Sequence, residues 1–96
     1  MSYKPGPLRS PDNILRLIDH SVDTFFNTNE RLDVRRHAGM SFANLFILLQ
    51  GTQLTQKRSK EIAQKYEALP KRLDAVHESV AAGVVRRAIR SLWARS

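Results

Sequence analysis

Apolar residues recur along this chain at three- and four-residue spacing, and no segment alternates residue by residue. That periodicity predicts α-helices throughout. The most apolar run spans residues 41–49, where Phe42, Leu45, Phe46 and Leu49 fall at helical spacing. Ile47 and Leu48 extend the apolar surface around the helix, so it is expected to be central and buried on several sides. Phe42, Leu45 and Leu49 are its expected core positions. Gly51 follows where a left-handed residue often ends a helix.

The flanking elements have recognisable starts. Ser10, Pro11 and Asp12 predict a first helix: a hydroxyl cap, a proline at the first helical position and an acid at the positive dipole end. Ile14, Ile18, Val22 and Phe25 form its stripe, and Leu15, Leu17 and Phe26 widen it. The helix is expected to close at residue 26 or 27. Thr28 or Asn29 should cap the second helix, whose face runs through Val34, Ala38, Phe42, Leu45 and Leu49. Gly39 lies inside it at a cost of about 1 kcal/mol relative to Ala, so it marks a kink or a close crossing within one long helix, the alternative being a break there with Ser41 capping a separate shorter helix.

Thr52 or Thr55 should open a third helix marked by Leu54, Ile62, Ala63, Tyr66 and Leu69. Pro70 interrupts it, lacking an N–H and disfavouring the α conformation at Leu69. A fourth helix is expected from Pro70, with Leu73, Val76, Val80, Val84, Ala88 and Leu92 along one side. The expected fold is all-α. It is a small compact bundle of about four helices, one domain over 10–96, after an irregular arm over 1–9 that contains Pro5, Gly6 and Pro7.

Composition narrows the chemistry. Ninety-six residues leave room for one domain. With no cysteine there is no disulfide framework, thiol nucleophile or Cys-based zinc site. No apolar run reaches the ~18–20 residues of a spanning helix, and the first residues carry no apolar signal core, so a cytoplasmic location is expected. His20, His37 and His77 form no i, i+4 metal pair, the glycines are isolated, and the acids sit near caps or basic residues. The chain is expected to be non-enzymatic, without cofactor or metal.

Charge supplies the functional signal. The chain carries 16 Lys and Arg against 9 Asp and Glu, a net +7. Residues 51–96 hold ten basic and four acidic side chains, a net +6, while residues 1–28 balance three against three. A polyanionic partner fits that asymmetry. The candidate binding residues are Lys57, Arg58 and Lys60 on the third helix and Lys71 and Arg72 after Pro70. Arg86, Arg87, Arg90 and Arg95 join them near the end, with Trp93 among them.

Arginine beside an indole binds phosphates and stacks on bases. The same set also suits an acidic protein groove or an anionic membrane surface. The expectation is a small nucleic-acid-binding accessory or regulatory protein, with DNA as partner. The alternative is a protein-interaction module, such as an inhibitor, adaptor or small subunit. It would use the basic face with Ile47, Leu48, Ile89 and Trp93, and homo-oligomerisation fits either reading.

Residues 59–76 add a resemblance. Ala63 is a small residue flanked by Ile62, Tyr66, Leu73 and Val76, with a break before Pro70 and exposed Lys71 and Arg72 after it. This resembles the helix-turn-helix pattern of DNA-binding regulators. The resemblance implies that Ala63 packs where two helices cross. It also implies a recognition helix from near Pro70 that carries Lys71 and Arg72 into the major groove.

Overall fold

The computed structural model describes residues 10–96, so the arm expected over 1–9 lies outside the described residues. The fold is all-α. Five helices appear among the described residues: α1 (Pro11–Phe26), α2 (Leu32–Gln50), α3 (Gln56–Lys65), α4 (Leu69–Ala75) and α5 (Ser79–Arg95). The sequence reading places one domain over 10–96. The helices group into two compact units, one ending at Thr52 and one running from Gln53 to Ser96.

The first unit is a helical hairpin. Ser10 caps α1, its hydroxyl accepting from the Asn13 N–H at 3.2 Å, with Pro11 at the first helical position. Ile14, Ile18, Val22 and Phe25 form the buried stripe that the spacing predicts, joined by Leu15. At the other end, the Arg35 guanidinium donates to the Phe25 carbonyl at 2.9 Å. No basic residue stands in the last turn of α1. Arg35 on α2 therefore supplies both a donor and a favourable positive charge there.

The entry to α2 departs from expectation. Neither Thr28 nor Asn29 caps it; Arg31 holds the cap position without a side-chain bond. The asparagine chemistry goes into a turn instead. Asn27 Oδ1 accepts from the Asn29 N–H at 3.0 Å, and the Asn27 carbonyl accepts from the Glu30 N–H at 3.1 Å. α2 itself is one long helix through Gly39, and there the close crossing, not a kink, explains the glycine. A Cβ at Gly39 would stand 3.1 Å from two ring carbons of Phe25.

The buried face of α2 is Ala38, Gly39, Phe42, Phe46 and Leu49. Leu45, an expected core residue, is only half-buried, because the fully buried positions step from Phe42 to Phe46 and not to Leu45. The remaining apolar residues are not covered either: Ile47 is 53% and Leu48 55% exposed. The helix is therefore buried on one side only. Gly51 ends it in a right-handed conformation (φ −87°, ψ −2°), not the left-handed one expected. Its N–H bonds back to Leu48 and Leu49 without any need for positive φ.

In the second unit α3 and α4 each pack on α5. Thr55 caps α3, its hydroxyl accepting from the Arg58 N–H at 3.1 Å. Ile62, Ala63, Tyr66, Leu69 and Leu73 are buried, as the spacing requires. Ser59 is fully buried as well, and its hydroxyl has no hydrogen-bond partner among the described residues.

The expected fourth helix is divided in two. His77 takes a left-handed φ of 64°. The Glu78 N–H bonds to the Leu73 carbonyl at 2.9 Å and the His77 N–H to the Asp74 carbonyl at 3.0 Å. Those two bonds make a Schellman motif that closes α4. The break re-phases the apolar face. Val76 and Val80, expected on the stripe, are 44% and 82% exposed, while Ala82, Val85, Ala88 and Leu92 face the core of α5.

A residue with a Cβ is strained at that closing position. His77→Gly is therefore expected to raise stability by about 1 kcal/mol, read as a higher urea midpoint at unchanged slope. A lower midpoint would show that the imidazole makes a contribution larger than the backbone strain.

Candidate functional site

The unit from Gln53 to Ser96 holds the ten basic and four acidic residues already counted, so the chain's charge is concentrated in one compact body. Within it, packing of α4 on α5 builds a groove of about 420 Å³. The α5 wall is Arg86, Ile89, Arg90 and Trp93. Their i, i+3, i+4, i+7 spacing puts them on one helix face. Glu67, Pro70 and Lys71 form the opposite wall, from the turn before α4 and its first residues.

Each element places its contribution for a local reason. Pro70 suits the start of α4, where its missing N–H costs nothing, and this sets Lys71 in the first turn. On α5, the buried Val85, Ala88 and Leu92 fix the rotation of the helix, which turns Arg86, Arg90 and Trp93 outward. Trp93 is 39% exposed and Ile89 half-buried, so the groove has an apolar floor with cations at its edges.

The cations are not equivalent. Arg86 is held by an ion pair with Asp74 on α4. Lys71 and Arg90 make no ion pair or hydrogen bond with any described residue, and neither does Arg87, exposed beside the groove. Glu67 is the carboxylate in the groove wall. The combination offers free positive charge, an accessible indole and one anionic acceptor within a volume typical of ligand pockets (about 300–1,000 Å³).

Four of the ten candidate residues thus meet in one place: Lys71, Arg86, Arg90 and Trp93. The others do not line the groove. Lys57 and Lys60 are exposed on α3, and Arg58 is half-buried with its guanidinium 3.6 Å from Glu61. Arg72 is exposed on α4, and Arg95 is half-buried in the last turn of α5. Glu67 and Pro70 were not among the expected site residues. Only the packing of α4 brings them opposite α5; no spacing in the sequence points to them.

The helix-turn-helix segment takes a definite shape. Ala63 is fully buried, but α3 and α4 each pack on α5. Val76 is exposed. Glu67 stands at the turn position for which that pattern normally uses glycine. The turn forms without a left-handed residue, since His77 has the only positive φ among the described non-glycine residues. The helix carrying Lys71 and Arg72 is seven residues long.

Among the described residues no group of three His, Asp or Glu gathers to hold a metal ion, and no helix is long and apolar enough to cross a membrane. Models of known families, curated proteins and solved structures were each searched, and none matches this chain.

Proposed function

We propose that this protein binds nucleic acid through the basic face of its second unit, as a non-enzymatic accessory or regulatory protein. The supporting observation is the groove itself. Lys71 and Arg90, without an ion pair among the described residues, line one groove with an accessible Trp93. A phosphate backbone supplies the anions and bases supply faces for the indole. DNA as the partner and a cytoplasmic setting belong to the same proposal.

The test is a mobility shift at several salt concentrations with the full chain. Affinity is expected to fall about 100-fold between roughly 50 and 200 mM salt, the dependence of about four phosphate contacts. Asp74→Asn releases Arg86 from its ion pair. An exposed pair of that kind contributes about 0.2–1 kcal/mol, so the fold persists, while the salt slope should steepen by about one unit. Absence of any shift at low salt, with duplex or single strand, would sink the proposal.

One observation favours a second reading, a protein-interaction module. Met40, Ile47 and Leu48 are exposed on the side of α2 opposite its buried face. An uncovered apolar surface of this kind suits a protein partner or a second copy of the chain.

A further inference from the structure

The groove between α4 and α5 says more than that the surface is basic. We infer that it takes a segment of single-stranded nucleic acid, one unpaired base stacked on Trp93 and the flanking phosphates held by Lys71 and Arg90. The inference rests on the nucleic-acid reading above and deepens it from a charged surface to a substrate class.

Stacking decides between strand forms. A duplex keeps its base faces against one another, so an indole in a groove has nothing to stack on unless the pairing opens. An unpaired strand exposes every base face and satisfies the indole at no such cost. Arg90 and Trp93 lie three residues apart on α5, Ile89 stands one turn before Trp93, and Lys71 lines the same groove from α4. The groove thus joins the apolar surface of Ile89 and Trp93 to two cations that have no ion pair among the described residues.

Glu67 fits this arrangement better than a purely phosphate-binding one. A carboxylate repels phosphates but accepts a hydrogen bond from an exocyclic base amine, as cytosine presents. Arg86 is committed to Asp74 and serves to fix α5 against α4. The face is therefore not uniformly cationic. It combines cations, an apolar ring and an acceptor, and a nucleotide chain offers phosphates, base faces and exocyclic amines to match them.

Trp93 is the only tryptophan in the chain, so its intrinsic fluorescence reports on this groove directly. The experiment titrates the full chain with a dye-labelled oligodeoxycytidylate of roughly twelve nucleotides, a length within the site sizes of known single-strand binders. Its ribonucleotide counterpart and a duplex of equal length complete the set. Both single strands should quench the tryptophan emission, and the relative affinities of the DNA and RNA forms identify the natural source. Trp93→Leu should weaken single-strand binding by about 5- to 150-fold, the range that loss of one stacked base produces. Trp93→Phe should retain most of the affinity, and neither change should alter binding of the duplex.

Single-strand binding without quenching, or unchanged by Trp93→Leu, overturns the groove assignment and leaves the basic-face reading in place. Preference for the duplex does the same. Binding to no nucleic acid overturns both and points to an acidic protein partner. Should Trp93→Leu fail to fold, quenching of the wild-type protein decides the matter.

Discussion

Phe42→Ala is expected to lower the stability of the unit ending at Thr52 by about 3–5 kcal/mol, a large part of the total for a small domain. Phe42 is fully buried and sets its ring edge-to-face on Phe25, with centroids 5.5 Å apart and planes at 88°. Phe25 is fixed in turn against Phe26 at 4.9 Å and lies over the bare Cα of Gly39. Removing the Phe42 ring therefore leaves a cavity whose walls are already held by other contacts, and such sites collapse poorly. Leu45→Ala, at a half-buried position on the same helix, should cost about 1 kcal/mol, near the average for point substitutions. The measurement is urea unfolding followed by circular dichroism. Equal midpoints for the two variants would remove Phe42 from the centre of this core.

The contrast between those neighbours shows where periodicity stops being informative. Steps from 42 to 45 to 49 and from 42 to 46 to 49 both satisfy helical spacing, and apolar side chains occupy all four positions. The choice between Leu45 and Phe46 is made by what α1 presents, and the packing of Phe25 on Phe42 and over Gly39 does not show in the spacing of apolar positions along α2. Helix starts were legible where a side-chain cap agreed with the pattern, as at Ser10 and Thr55. At Asn27 to Asn29 the same residue types spent their bonds on a turn, so the cap signal pointed to the wrong function.

The break at His77 was not legible, because no glycine or proline stands there and positive φ is uncommon for any non-glycine residue, even for histidine, which is enriched there. Missing that break placed Val76 and Val80 in the core. It also concealed the groove, which needs a short α4 lying on α5. The basic residues themselves were plain in the sequence. Their separation into a groove set and a scattered set was not, since it depends on the rotation of α5 fixed by Val85, Ala88 and Leu92.

Reversing Lys71, Arg87 and Arg90 to Glu together should weaken polyanion binding by at least about 100-fold and lower the salt slope by about three units, one for each lost phosphate contact. All three are exposed and free of ion pairs among the described residues, so melting should change little. Reversing Arg16 and Arg36, exposed on the helices of the first unit, is the control and should have a small effect. Six basic and five acidic residues lie up to Thr52, leaving no field there to dismantle. Two single substitutions then separate a groove reader from a general polyanion surface. A recognition helix would make Arg72→Ala change sequence preference, with Arg90→Ala weakening all sequences alike. The helix carrying Arg72 has only seven residues, about 10 Å at 1.5 Å per residue, so both substitutions should weaken every sequence to a similar degree. A changed preference with Arg72→Ala alone would restore the helix-turn-helix reading. Full binding by the triple reversal would move the contact surface away from the α4–α5 groove.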